Sequence, residues 1–415
     1  MGRIIFSTIL ILFLLSLDAY IWSAFKQTFN NRPFLKYIFG GITLITIALI
    51  YFPAINTNMT LYPGYMVVIF GFVFAIIVAK LSMAFPLLVD DIIRFFKYIY
   101  KVMFESKSLS IGGSPISRLE FLKNTALGVG AITFSVFTYG IIVGRFDFKK
   151  HFVSLKLKNY PKGAKPLKVV QISDLHLGSF QRKDKLREAV QLINNEEVDL
   201  IFFTGDLVNN YAAEAKPFVE ILKELKAKHG KYAVLGNHDY ADYIGLDTST
   251  SEGREKWQAN LNEIKGYFNA ADFNLLLNEN RLVEINGVEI NLVGVENWGD
   301  GRFSKYGDLE KAMQNTKDGI PTLLLSHDPT HWENRVLPFS KQIDLQLAGH
   351  THGMQFGIEF AGIKWSPSKW KYKFWAGLYQ NENKFLYVNR GIGHLGYPGR
   401  VGILPEITVL DIQST

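Results

Sequence analysis

Gly236-Asn237-His238-Asp239 stands directly after Tyr232-Ala233-Val234-Leu235, a short apolar run that ends on four polar or small residues. The same order recurs four more times. Asp174-Leu175-His176 comes soon after Val169-Val170-Gln171-Ile172, and Gly205-Asp206 after Leu200-Ile201-Phe202-Phe203. Ser326-His327-Asp328 follows Thr322-Leu323-Leu324-Leu325, and Gly349-His350-Thr351-His352 follows Leu345-Gln346-Leu347-Ala348. Runs of this length and character read as buried strands. Polar groups that close several such strands meet at one edge of a sheet, where open α/β folds place their sites. The pattern predicts a metal centre on a layered α/β sandwich.

The donors suggest how that centre is divided. In Asp174-Leu175-His176 the D-x-H spacing on extended chain lets both side chains reach one ion. Asp206 follows a glycine that permits close backbone approach, and a carboxylate there can bridge two cations. The expected sets are Asp174, His176, Asp206 and His352 for one ion, and Asp206, Asn237, His327 and His350 for the other. Mixed carboxylate, amide and imidazole donors suit two divalent metal ions of the Mn, Fe or Zn type. His238 is the candidate general acid, because an imidazole exchanges its proton near neutral pH. Asp239 is expected to orient His238, and Asp328 to orient His327, as carboxylates behind catalytic or ligating histidines commonly do.

Working outward toward the N-terminus, the composition changes. The chain has 415 residues, 48% hydrophobic content and 32 Phe, with the apolar excess before about residue 145. Residues 4–25, 35–55, 61–89 and 122–143 each approach the roughly 20-residue length that crosses a bilayer. Asp18 lies inside the first and needs a partner, since a lone carboxylate in lipid is costly. Gly64, Gly71 and Pro86 in the third segment imply tilt or a kink. Lys and Arg crowd the first and third connections, whereas residues 52–60 between the second and third segments carry none. The positive-inside rule then puts both the N-terminus and everything after Arg145 outside, in a multi-pass protein of the inner (plasma) membrane. Three or five spans would reverse that placement. Residues 91–104 read as an amphipathic helix on the inner surface. Ser117-Arg118-Leu119-Glu120-Phe121-Leu122-Lys123 looks like a twin-arginine export signal lacking one arginine.

The expected domains are a transmembrane region at 1–145, a polar linker at 146–166 and a catalytic domain at 167–415. Within the last, residues 184–195 read as a helix capped by Asp184, and 216–229 as a helix entered through Pro217 and stopped by Gly230. Residues 281–295 read as a hairpin turning at Asn286-Gly287. Residues 257–273 suggest a helical cap over the pocket. No cysteine occurs, which removes disulfides, thiolate nucleophiles and thiolate metal ligands. The net charge of +7 has no dense basic tract. A membrane-proximal bias accounts for it, and no nucleic-acid partner or obligate protein partner is expected.

Taken together, DLH, GD, GNHD, SHDP and GHTHG resemble the calcineurin-like metallophosphoesterase superfamily over residues 167–412. The closing stretch Tyr387-Val388-Asn389-Arg390-Gly391-Ile392-Gly393, with Pro398-Gly399-Arg400 and Leu404-Pro405-Glu406-Ile407, is similar to its membrane-associated phosphodiesterase branch. That branch includes UDP-2,3-diacylglucosamine hydrolases, and the apolar half makes the whole resemble transmembrane proteins with a metallophosphoesterase domain. The resemblance implies a four-layer α/β/β/α sandwich behind a helical transmembrane bundle, a dinuclear site, and hydrolysis of phosphodiesters or pyrophosphates. Met354 and Asn297-Trp298 depart from the branch beside the expected substrate pocket.

For the substrate, Arg390 and Arg400 are candidate phosphate clamps, against ion pairing that merely anchors the last hairpin. His394, in the Gly-rich turn after Arg390, is a third candidate substrate contact. His151, His229 and His331 read as surface or packing residues. Residues 364–375 alternate lysines with Trp365, Trp370, Tyr372, Phe374 and Trp375, which suits contact with lipid headgroups and a lipid-linked substrate. A receptor that keeps the metal fold for binding alone, and a nuclease, are the rival classes.

Overall fold

The computed structural model describes residues 2–55, 64–104, 115–301 and 303–415, with side chains at 4–51, 66–104, 120–301 and 303–415. The second connection and the side chains of Ser117 and Arg118 lie outside the described residues. The chain divides into two compact units, Met1–Ile141 and Ile142–Thr415.

The first unit contains helices α1 (Gly2–Asn31), α2 (Pro33–Ile55), α3 (Gly64–Phe104) and α4 (Pro115–Ile142). Each contains a stretch apolar and long enough to cross a membrane. Pro33 opens α2 at the position where a missing N–H costs nothing. α3 passes through Pro86 without stopping and is 41 residues long in all, about 60 Å of helix. The stretch 91–104 is therefore the continuation of α3 and not a separate surface helix. No Gly or Pro follows Pro86 to stop it, and an i,i+4 pair between Asp90 and Arg94 supports the turn at the junction. Asp18 has the partner that it needs. Its carboxylate accepts from Lys80 Nζ at 2.8 Å and from Thr43 Oγ1 at 2.6 Å, so one buried cluster ties α1, α2 and α3 together.

The second unit is built from strands β1 (Lys149–Leu157), β2 (Leu167–Ile172), β3 (Leu200–Thr204), β4 (Lys231–Val234), β5 (Phe273–Leu275), β6 (Glu279–Ile285), β7 (Val288–Gly294), β8 (Thr322–Leu325), β9 (Leu345–Ala348), β10 (Ile358–Phe360), β11 (Ile363–Trp365), β12 (Gly377–Asn381), β13 (Lys384–Val388) and β14 (Glu406–Ser414). Two six-stranded sheets result, ordered β1-β14-β2-β3-β4-β5 and β12-β13-β9-β8-β7-β6, while β10 and β11 form a separate hairpin. Alternation along each strand sends side chains to two layers. Leu200 and Phe202 of β3 face the core between the sheets with Leu323, Leu325, Leu345 and Leu347. The single turn α5 (Leu177–Phe180) follows β2, and Ile201 and Phe203 face the outer helices α6 (Lys183–Asn194) and α8 (Ser251–Ala270) through Leu186, Val190, Ile193, Leu261, Ile264 and Phe268. On the far side, Val293, Leu324 and Val388 pack against Trp332, Val336 and Leu309. Three apolar layers separate four layers of structure, α/β/β/α.

Some local expectations are corrected. The segment read as a linker contains β1, which pairs in parallel with β14 along its whole length. Its Val153-Leu155-Leu157 alternation fills the inter-sheet core, and the surrounding lysines masked that pattern in the sequence. Asp184 is not a cap. α6 begins at Lys183, and Asp184 in its first turn pairs with Arg182. The helix expected at 216–229 is one 3-10 turn plus α7 (Val219–Lys223). It stops because Asn194 binds Glu224 O and Lys226 N at 2.8 Å each, replacing helical hydrogen bonds with tertiary ones. α8 forms, capped by Thr250, and packs Leu261, Ile264 and Phe268 on the first sheet. The hairpin is present, and Asn286 and Gly287 both take positive φ at its turn.

Candidate metal centre

All the polar motifs emerge at the same edge of the sandwich. β2, β3 and β4 are mutually parallel, as are β7, β8 and β9. The loop after each of β2, β3, β4, β8 and β9 therefore reaches one shared rim. Sharp reversals there aim the donors inward. Asp174, His176, Asp206, His350 and His352 all have φ between 46° and 74°, the left-handed region that non-glycine residues avoid. Each such residue costs about 1–3 kcal/mol, and concentrations of that strain mark functional sites. Glycines supply the clearance. A Cβ on Gly236 would lie 2.2 Å from Asp206 Oδ1, and one on Gly349 would lie 2.3 Å from Asp174 Oδ2.

Two clusters of donors result. Asp174, His176 and His352 bring ligand atoms within 4.8 Å of one another, as do Asp206, His327 and His350. In the first, His176 Nε2 lies 3.0 Å from His352 Nε2, and His352 Nε2 lies 3.3 Å from Asp174 Oδ1. In the second, His350 Nδ1 is 3.3 Å from His327 Nε2 and 2.7 Å from Asn237 Oδ1. Asp206 Oδ2 belongs to both, at 3.6 Å from His176 Nε2 and 3.1 Å from His327 Nε2. Its other oxygen accepts the His238 backbone N–H at 2.9 Å, which fixes the carboxylate.

The donor chemistry fits cations. Burial pushes His176 well below the usual imidazole value, so it is neutral and offers a lone pair. Two imidazole nitrogens 3.0 Å apart beside two carboxylates make a set rich in acceptors, which a shared cation satisfies. Partners outside the cluster fix the tautomers. His327 Nδ1 donates to Thr204 O at 2.6 Å, and His350 Nε2 faces the Tyr372 hydroxyl at 2.9 Å, which leaves Nε2 and Nδ1 respectively for the centre. Asn237 Nδ2 donates to Tyr243 at 2.9 Å, which turns its Oδ1 inward. Burial opposes a charge on His327, yet Asp206 and Asp174 raise its pKa to about 10. Occupation by a metal at neutral pH therefore displaces a proton from His327.

The supporting residues differ from expectation. His238 stands against His176 and Tyr243, but its Nδ1 donates to Asn209 O at 2.6 Å and not to Asp239. Asp239 is turned away by the 3-10 turn Asn237–Tyr240 and accepts the backbone N–H groups of Asp206, Leu207, Val208 and Gly236 at 2.8–3.3 Å. Asp328 likewise binds Thr330 and the Asp300 N–H, leaving His327 to the Thr204 carbonyl.

The substrate candidates are also corrected. Arg390 is buried between Glu406 and Glu359, an anchoring role. Arg400 is fully buried and donates to the carbonyls of Gly391, Gly393, Arg390 and His352. Both guanidinium groups are buried and held by groups inside the fold, so neither presents a fork to a phosphate. His394 is buried with Nε2 3.4 Å from Arg145 and its ring against Phe146, which is packing. Trp298 stacks on His331. Sequence reasoning missed Tyr243, Tyr372 and the Asn209 carbonyl. A carbonyl leaves no trace in sequence, and Tyr372 sat within a run read as a lipid-facing loop.

Comparison with known proteins agrees with this geometry. Residues 2–145 match the family model "Probable Calcineurin-like phosphoesterase, transmembrane domain", and residues 167–354 match "Calcineurin-like phosphoesterase". A metallophosphoesterase of Helicobacter pylori is 30% identical over 282 residues, 66% of this chain and 69% of that protein. The phosphodiesterase YaeI of Escherichia coli is 26% identical, covering 72% of this chain and 99% of that protein. A bovine transmembrane protein with metallophosphoesterase domain is 32% identical over 63% of this chain and 56% of its own length.

Proposed function

The chain belongs to the calcineurin-like metallophosphoesterase family and is a hydrolase, and from that premise we propose that it cleaves phosphodiester or pyrophosphate bonds of an amphiphilic substrate. Asp174, His176, Asp206, Asn237, His327, His350 and His352 would hold two divalent ions, and oxygen and imidazole donors without thiolate suit Mn, Fe or Zn. Held by these residues, such ions would supply activation of water and neutralisation of charge on the phosphoryl group. The single observation that carries this reading is that Asp206 Oδ2 lies within reach of both donor sets.

The protein's own groups supply the remainder. Because His238 Nδ1–H donates to Asn209 O, Nε2 is the position from which the protonated ring would give a proton to the departing oxygen, leaving the neutral Nδ1–H ring. Burial pushes the Tyr243 phenol up to about 12, so it stays neutral and holds Asn237 in position. Asp239 braces the turns that carry Asp206 and Asn237 by collecting their backbone N–H groups.

The membrane-length helices support a lipid-linked substrate, such as a glycolipid pyrophosphate or phosphodiester. Loop charges favour an extracytoplasmic catalytic unit, whereas a nucleotide-linked precursor such as UDP-2,3-diacylglucosamine belongs on the cytoplasmic side. Reporter fusions at Lys149 and at the C-terminus decide between these substrate classes. For the chemistry, the full chain purified with Mn is assayed on bis-p-nitrophenyl phosphate and on lipid phosphodiesters and pyrophosphates in vesicles. Turnover is expected. Failure on every one of these with two ions bound would leave a binding protein only.

A further inference from the structure

The β10–β11 hairpin is amphipathic in the reverse of the usual sense. Its register pairs Ile358 with Trp365, Glu359 with Lys364 and Phe360 with Ile363. Directly paired residues share a face, so Ile358, Phe360, Ile363 and Trp365 lie together on one side and the charged pair on the other. The charged side is the one turned to the protein. Glu359 binds the buried Arg390 at 2.6 Å, and Lys364 Nζ binds Ala376 O and sits over the Trp375 ring. The apolar side is left in water, with Phe360 79% and Ile363 61% exposed. Trp370, also 79% exposed, meets Trp365 edge-on at 5.9 Å and extends the patch. Trp375, which the sequence grouped with these residues, is buried against Tyr372 and Ile403 and takes no part.

A small hairpin that fastens its charges inward and shows aromatic and branched side chains outward is built to meet something apolar. We infer that this hairpin and Trp370 form a finger that inserts into the interfacial layer of an anionic lipid bilayer, beside the mouth of the metal centre. Charge and composition single out a bilayer. Exposed Lys369 and Lys371 flank the patch, with Lys373 beyond them paired to Glu333, and among the described residues the outward face of the hairpin carries no acidic group. Tryptophan above lysine is the composition that settles at headgroup depth. Residues 143–148 alone separate the last membrane-length helix from β1, so a bilayer is the surface to which this unit is tethered. The finger also begins close to the chemistry, since half-exposed Met354 precedes it and stands two residues after His352. This deepens the amphiphilic-substrate reading: the substrate is taken from the bilayer surface.

The test uses the full chain in nanodiscs or vesicles containing phosphatidylglycerol. Because the sequence contains no cysteine, Phe360→Cys and Glu188→Cys each give one labelling position for an environment-sensitive fluorophore. The label at position 360 is expected to shift to the blue and to be quenched by spin-labelled lipid, while the label at 188 does neither. In parallel, the Phe360→Asp, Ile363→Asp double variant is expected to keep its bis-p-nitrophenyl phosphate turnover and to lose about tenfold on a lipid phosphodiester in vesicles. A label at 360 that stays in water, or that shifts only with protein density and in detergent as well, overturns the inference. The second of those outcomes assigns the patch to another copy of the chain. Equal activity of variant and parent on the lipid substrate also overturns it. Quenching without turnover of either substrate by the parent counts instead against the phosphohydrolase reading.

Discussion

At the scale of single residues, the neighbours His238 and Asp239 have separate duties that their adjacency hides. His238 faces the donor clusters and is fixed by a carbonyl, so His238→Ala is expected to lower kcat about 10²–10⁴-fold. Bound metal, counted by elemental analysis, should stay at the parent level, and its loss would argue against a proton-transfer role. Asp239→Asn should act on stability. The amide would point an N–H₂ group at backbone donors, and the melting curve should report a loss of about 2–4 kcal/mol. Glu406 gives a pH test away from the metals. Burial would raise its pKa, but Arg390, then His151, Thr408 and Tyr387, bring it down to about 2. A depressed carboxyl stabilises the fold above its unfolded pKa of about 4.3 and loses that contribution as pH falls toward 2. The shift corresponds to about 3 kcal/mol. Melting temperature should therefore fall more steeply between pH 4.5 and 2 in the parent than in Glu406→Gln, and parallel slopes would refute the linkage.

At the scale of elements, β1 and the loops that close the strands carry the argument. β1 fills the inter-sheet core with Leu155 and Leu157, so Leu155→Ala should cost about 2–5 kcal/mol of stability in denaturant unfolding. A true linker would show no change. The elements that sequence periodicity identified were those whose pattern was uninterrupted: the apolar helices, β2, β3, β4, β8, β9 and the Asn286-Gly287 hairpin. Those that it missed were decided by partners remote in sequence. β1 needs β14, more than 240 residues later, to be a strand at all. The short α7 ends where Asn194 captures its backbone, an event that no local propensity records.

At the scale of the whole molecule, two units divide the work between membrane attachment and chemistry. Every candidate ligand lies in the second unit, so a chelator should abolish turnover and lower the melting temperature of that unit alone. A metal present at 100 times its dissociation constant stabilises the bound fold by about 2.7 kcal/mol. Scanning calorimetry with and without chelator measures this, and an equal shift in the helical unit would contradict it. In the helical unit the Lys80–Asp18–Thr43 cluster keeps an ion pair among apolar helices, and Lys80 and Thr43 are the members that the sequence reading overlooked.

The sequence by itself determined the membrane-length helices, the strand-then-polar-motif repetition and which residues gather into the two donor clusters, because periodicity and residue chemistry are local properties. It could not assign the second partners of those donors. That Asp239 binds backbone, that Arg390 and Arg400 are sealed inside, and that a hairpin turns its apolar face outward were decided only by tertiary structure. Hydrogen-bond satisfaction in a buried site depends on which distant atoms arrive first in reach, and that ordering exists only once the two sheets have packed.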